Sequence, residues 1–246
     1  MKLCKSLLLS ILLFVLSLLI PSGVRAGTGV PILMYHYIRD YNNPNDSYGN
    51  VLSVSLKNFD EQLNYLTQNG YTTISLDELS ALNNGQSSVP GKPVVLTFDD
   101  GTIDFYTNAY PILKKYNMHA VSFVITGFVG NPQYVSWDNI NEMKNSGLVT
   151  FESHTVSHAF LPKTYDVLSE LKNSKAMLES HTGYPVNFIS YPFGNSNSYI
   201  WGVASQAGYI GGLGTSFGKS YGTTMNMPRV RINGGDSLDT FIYKIQ

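Results

Sequence analysis

The stretch Pro93-Val94-Val95-Leu96-Thr97-Phe98-Asp99-Asp100-Gly101 decides how this chain is read. An apolar run of strand length ends abruptly in two adjacent carboxylates and a glycine. Runs of this kind form strands buried on both faces, as in parallel sheets. Two anions a few ångströms apart repel, and one takes up a proton unless a cation or a strong donor sits beside them. Metal binding together with general-base work accounts for such a pair.

On either side of this stretch, strand and helix signals alternate. Residues 30–35 read as a first buried strand ending in His36, and residues 39–50, rich in Asn, Asp, Pro and Gly, read as a loop. Ser55 caps a helix that Gly70 stops, and residues 71–74 form a short strand. Ser75-Leu76-Asp77-Glu78 is a capping box opening a short helix. Beyond the acidic pair the spacing predicts helices over 106–116, 136–146, 164–182, 198–206 and 237–244. Strands are predicted over 120–125, 148–151, 188–191, 209–212 and 228–232. The alternation is too tight for a second domain. It implies an α/β fold of parallel strands joined by right-handed crossovers, either a closed (β/α) barrel or an open doubly wound sheet. No Gly-x-Gly-x-x-Gly follows the first strand, which argues against a dinucleotide site. His36, Asp99, Asp100, His154 and Pro192-Phe193-Gly194 all follow the carboxyl ends of predicted strands, the face that carries the active site in a barrel.

The start of the 246-residue chain is an address. Lys2 and Lys5 precede an apolar run over 7–20 that Pro21 breaks, and Val24-Arg25-Ala26 suits a signal peptidase. Residues 1–26 are therefore expected to be a secretory signal peptide cut after Ala26. The run is shorter than the ~20 residues of a spanning helix, which disfavours an uncleaved anchor. Residues 27–246 form the expected mature domain, secreted or associated with the cell wall, without stable membrane insertion. They contain no cysteine, so stability must come from a core, which a chain of this length can bury. Removing Lys2, Lys5 and Arg25 from the 16 basic residues leaves 13 against 17 acidic ones, a net charge of −4. Without a basic patch, nucleic acid is a poor partner.

His154-Thr155-Val156-Ser157-His158 places two imidazoles four residues apart, which a helical turn would bring to one side. Two histidines and one carboxylate suit a divalent metal and leave positions open for water and substrate. One aspartate of the pair would then be fixed by the metal, and the other could take a proton from an attacking water. Attack on an amide carbonyl makes an oxyanion that needs a backbone N–H, and the departing amine needs an acid, most simply a histidine.

Thr97-Phe98-Asp99-Asp100, His154-Thr155-Val156-Ser157-His158 and Tyr191-Pro192-Phe193-Gly194 resemble the first three motifs of the NodB-homology polysaccharide deacetylases, carbohydrate esterase family 4. The resemblance covers nearly all of residues 27–246. It implies an irregular (β/α)7 barrel in a single domain, with Asp99 as general base. Asp100, His154 and His158 are the implied ligands of a divalent ion, expected to be zinc, although the set also suits cobalt, nickel or manganese. Phe193 is the implied backbone donor to the oxyanion.

Two departures shape the expected site. Where the family's third motif begins with an arginine that orients the catalytic aspartate, this chain has Ser190. Arg229 and Arg231 alternate on the last predicted strand, and one of them is the candidate replacement. The family's late Leu-x-His motif is also missing, since no histidine follows His181. His36, in Leu33-Met34-Tyr35-His36, is the candidate acid, and that opening resembles the subgroup acting on poly-β-1,6-N-acetylglucosamine. The expected activity is removal of acetyl groups from N-acetylglucosamine units of a cell-surface or extracellular polysaccharide. The competing expectations are peptidoglycan, chitin oligomers or acetylated xylan as substrate, or an inactive metal-containing carbohydrate-binding domain. Tyr37, Trp137 and Trp201 are possible surfaces for stacking on a sugar.

Overall fold

A computed structural model describes Gly27 and residues 29–246; the expected signal peptide, 1–26, and its cleavage point lie outside the described residues. In chain order, β1 (Ile32–Tyr35) and β2 (Tyr37–Ile38) lead to α1 (Ser47–Leu52), β3 (Ser53–Val54), α2 (Leu56–Gln68), β4 (Tyr71–Thr73) and α3 (Leu76–Asn83). Then come β5 (Lys92–Phe98), α4 (Tyr110–Tyr116), β6 (Ala120–Val124), α5 (Trp137–Asn145) and β7 (Val149–Ser153). α6 (Val167–Thr182), β8 (Phe188–Ser190), α7 (Ser198–Gln206), β9 (Gly211–Phe217), β10 (Met227–Arg231) and α8 (Leu238–Ile245) complete the chain. None of the described helices is long and apolar enough to cross a membrane.

Seven strands close on themselves in the order β1-β10-β9-β8-β7-β6-β5, with β5 returning to β1, and every pairing is parallel. The irregularity lies at β5. Its first half pairs with β4 (Thr73 opposite Val94), and its second half pairs across the opposite edge with β1 (Ile32 opposite Val95). This is the irregular (β/α)7 barrel, and the open doubly wound alternative falls away.

Alternation along β5 sorts its side chains into two shells. Val95 joins Ile32, Val121, Phe123, Phe188, Leu213 and Met227 inside the barrel, while Val94, Leu96 and Phe98 face the helices. The outer layer includes Phe59 and Leu63 of α2, Leu171 and Leu178 of α6, and Phe241 of α8. Each such buried side chain contributes about 1.5–3 kcal/mol. Leu76, Leu79 and Leu82 of α3 pack on the inner cluster, and Asp77 accepts a hydrogen bond from Asn187 just ahead of β8. α3 thereby covers the amino-terminal mouth, and the polar strand ends are left at the other one.

Four expectations about elements are corrected. The loop expected over 39–50 gives way at Ser47 to α1, capped by Asp46, whose side chain accepts from Gly49 N–H. The helix over 106–116 is a π-helical turn, Phe105–Ala109, followed by α4. The long helix begins at Val167 rather than 164, because Asp166 caps it through Ser169 N–H and Leu161–Lys163 forms a separate 3-10 turn. β9 runs over Gly211–Phe217, and Tyr209 instead donates its hydroxyl to the Leu171 carbonyl. Glycines hide β9 from propensity, yet small residues are needed there. A Cβ on Gly212 would lie 2.4 Å from the Tyr191 hydroxyl oxygen.

Candidate active site

Asp99 follows β5 on the inward-facing register shared by Val95 and Thr97. Its backbone N–H donates to the Tyr35 carbonyl, and only 4 % of the residue is exposed. Its partner is Arg229 on β10, which is fully buried. The guanidinium meets the carboxylate as a fork, with Nη1 to Oδ1 and Nη2 to Oδ2 both at 2.8 Å. Nε donates to the Gly214 carbonyl at 2.9 Å, Nη2 to Ser190 Oγ at 2.9 Å and Nη1 to Thr97 Oγ1 at 3.3 Å. All five N–H groups of the arginine are thus used. A buried ion pair is tolerable only when satisfied in this way.

Ser190 Oγ also donates to Asp99 Oδ2 at 3.2 Å, bridging the two members of the ion pair. Burial pushes the Asp99 carboxyl up, but the charge and hydrogen bonds of Arg229 hold it well below the usual carboxylate range, aided by His154 and His36. Of the two candidate arginines, Arg229 is therefore the one that reaches Asp99. Arg231 sits two residues further along β10, partly exposed, and lines the pocket without pairing to Asp99.

The next residue turns away. Asp100 has φ 74°, in the left-handed region, and points its carboxylate at two imidazoles. Oδ1 lies 3.3 Å from His154 Nε2 and 3.7 Å from His158 Nε2, and one ligand atom from each of the three residues falls within 4.8 Å of the others. The expected helical turn between the histidines does not form. Thr155 (φ 68°) and His158 (φ 56°) also take left-handed backbone, so a tight loop brings the rings together. Glu170 on α6 secures that loop, accepting from Val156 N–H and Ser157 N–H at 3.0 Å each and from Ser157 Oγ at 2.7 Å.

Four of the five non-glycine residues with positive φ among the described residues lie here: Asp100, Thr155, His158 and Phe193. Such backbone persists only where the surroundings over-determine it, and it gathers at ligand clamps.

The donor set fits a divalent cation. His154 Nδ1 lies 2.7 Å from the Ser190 carbonyl, which can only accept, so Nδ1 carries the hydrogen and Nε2 is left to face Asp100. Two acceptors at that distance need a positive charge between them. Burial disfavours charging His154, yet Asp100 raises its proton affinity above the ordinary value, and a divalent ion would take that proton's place.

A cavity of about 390 Å³ opens over these groups, lined by His36, Tyr37, Arg39, Tyr134, Phe193 and Arg231 among others. His36 sits between β1 and β2. Burial lowers its proton affinity, and the Asp99 and Asp100 carboxylates oppose that shift. Phe193 stands in the Pro192–Gly194 turn with φ 60°. The residue is 56 % exposed, and its ring lies edge-on to His158, with centroids 4.6 Å apart.

Of the three suggested stacking residues only Tyr37 lines the cavity. Trp137 stacks on His181 at 3.7 Å, and Trp201 donates to Ser196 Oγ. Arg39, Tyr48, Tyr134 and Glu170 were not picked out from the sequence, since they lie in segments without a motif.

Comparison with known proteins agrees with this geometry. The family profile described as Polysaccharide deacetylase matches residues 86–211. That span includes Asp99, Asp100, His154, His158 and Phe193, and leaves out His36, Arg229 and Arg231. YxkH of Bacillus subtilis (strain 168), named for the same family, is 34 % identical over 218 residues, covering 86 % of this chain and 74 % of that protein. The Streptococcus pyogenes deacetylase PplD, solved in complex with acetate, superposes with a TM-score of 0.83 at 32 % identity, covering 90 % of this chain and 100 % of that one. The poly-beta-1,6-N-acetyl-D-glucosamine N-deacetylase of Staphylococcus aureus (strain N315) is 31 % identical over 171 residues, or 63 % of this chain and 59 % of that protein. The chain belongs to the polysaccharide deacetylase family, hydrolases that act on polysaccharides.

Proposed function

We propose that the protein is a metal-dependent hydrolase that removes acetyl groups from N-acetylglucosamine units of a cell-surface or extracellular polysaccharide. The observation that carries this reading is the division of labour in the acidic pair. Asp99 is held ionised under a fully engaged arginine, and Asp100 is turned toward His154 and His158. Asp100, His154 and His158 would hold the divalent ion, with zinc the natural choice for this donor set. When bound, that ion supplies Lewis-acid polarisation of the acetamido carbonyl.

The remaining roles fall to the chain itself. Asp99 takes a proton from the attacking water, and Arg229 and Ser190 fix the direction of its lone pairs. The Phe193 N–H supports the oxyanion. As the C–N bond breaks, acetate leaves with the new C–O bond, and the amine takes a proton for which His36 is the donor. The position of His36 and the likeness to the Staphylococcus aureus enzyme favour the β-1,6-linked polymer over peptidoglycan, chitin oligomers or acetylated xylan. A purely carbohydrate-binding role has no use for a buried, oriented Asp99 beside the ligand set. We place the protein outside the cell, released after Ala26.

The direct test is acetate release from poly-β-1,6-N-acetylglucosamine and from peptidoglycan. Release from the first polymer that stops with chelator and returns with zinc is expected. Release from neither would sink the assignment.

A further inference from the structure

His36, the proposed acid, is a single residue between two anchored points. Behind it, the Tyr35 carbonyl accepts from the Asp99 N–H at 3.1 Å, and the Tyr35 ring stacks on Phe98 with centroids 5.1 Å apart. Ahead of it, β2 pairs with β3 in a two-stranded sheet outside the barrel. Arg39 N–H donates to the Val54 carbonyl, so strand alternation turns both backbone groups of Ile38 to the other edge of β2. Ile38 is fully buried, and buried backbone groups have to be paired.

Two side chains stand where a neighbouring strand would be. Ile38 N–H donates to Asp104 Oδ2 at 2.6 Å, and the Ile38 carbonyl accepts from Asn108 Nδ2 at 2.8 Å. Asp104 immediately precedes the π-helical turn Phe105–Ala109, and Asn108 lies within it. Such turns are rare and gather at functional sites. Both residues lie outside the cavity lining, and the proposed chemistry uses neither. Residues 99–108 thus grip the chain on both sides of His36, through Asp99 at Tyr35 and through Asp104 and Asn108 at Ile38.

We infer that Asp104 and Asn108 are positioning residues for proton delivery to the leaving amine. By holding both backbone groups of Ile38 they fix His36 relative to Asp99, so one segment sets the geometry of acid and base together. The inference rests on the deacetylase activity and on the assignment of His36 proposed above. The amine takes its proton as the C–N bond breaks, so a misplaced acid costs turnover and leaves substrate binding alone.

Isosteric exchanges separate the hydrogen bonds from charge and packing. Asp104→Asn keeps an acceptor for Ile38 N–H, whereas Asn108→Asp has no donor for the Ile38 carbonyl. With N-acetylglucosamine oligomers, Asp104→Ala and Asn108→Asp should each lose about 10–100-fold in kcat at little-changed KM. Asp104→Asn should recover most of what Asp104→Ala loses. 4-Nitrophenyl acetate releases a phenolate that needs no proton, so all these variants, and His36→Ala, should hydrolyse it within about threefold of wild type. Added to His36→Ala, Asp104→Ala should slow the oligomer reaction less than about twofold further, where independent damage would multiply. Three results overturn the inference alone: Asp104→Asn as slow as Asp104→Ala, equal losses on ester and oligomer, or losses that multiply in the double variant. If His36→Ala deacetylates the oligomers at the wild-type rate, the acid assignment falls and this inference with it. No acetate from the oligomers with wild type overturns the proposed activity itself.

Discussion

Arg229 is the residue on which the site turns. A buried charge with every donor engaged is stabilising only while its partner is present. Arg229→Ala should therefore cost about 3–5 kcal/mol in urea unfolding, because Asp99 is left charged and alone. Ser190→Ala removes one bond from each partner and should cost less, about 1–3 kcal/mol. The pair also sets a pH dependence. Arg229 holds the Asp99 carboxyl below its ordinary range despite burial, so the folded chain binds fewer protons there than the unfolded one. Its contribution is fully present above the unfolded carboxylate value of about 4 and drains away as pH falls below it. Urea midpoints followed downward through this window should fall more steeply for the wild type than for Asp99→Asn. Equal slopes would mean that Asp99 is not the titrating group.

At the scale of elements, the histidine loop and its anchor on α6 matter most. Glu170 touches no ligand atom, yet three of its hydrogen bonds hold the Val156-Ser157 turn that sets His158 against His154. Glu170→Ala should weaken zinc binding by about 10–100-fold in calorimetry, with the ligands themselves intact. This loop also shows where reading the sequence stops. Asp99-Asp100 at a strand end and the paired histidines are local patterns, and so they were visible in the chain. The left-handed backbone at Thr155 and His158 was not, because neither residue type demands it and α6 imposes it from outside. β9 was expected two residues early and too short, over 209–212, for a different reason: its glycines lower strand propensity while making room for Tyr191 and its neighbours.

At the scale of the whole molecule, closure of the barrel assembles the site. β1 pairs with β10 and also with β5, so His36 after the first strand, Asp99 after the fifth and Arg229 on the last meet at one mouth. The sequence offered Arg229 and Arg231 as equals, since their alternation puts both on the same face. Height in the barrel separates them: Arg229 lies at the depth of Thr97 and Ser190, and Arg231 stands at the rim. Deleting residues 227–246 removes β10 and α8 together and opens the barrel between β1 and β9. The product should lack a cooperative unfolding transition, as followed by near-ultraviolet circular dichroism.

The account's central claim is that Asp99 does the proton transfer while Asp100 and the two histidines hold the ion. The most direct measurement is acetate release from poly-β-1,6-N-acetylglucosamine by zinc-loaded wild type and zinc-loaded Asp99→Asn, with zinc content confirmed for both. The account predicts a loss of about 10²–10⁴-fold in kcat with zinc still bound. A zinc-loaded Asp99→Asn that releases acetate at the wild-type rate would contradict it.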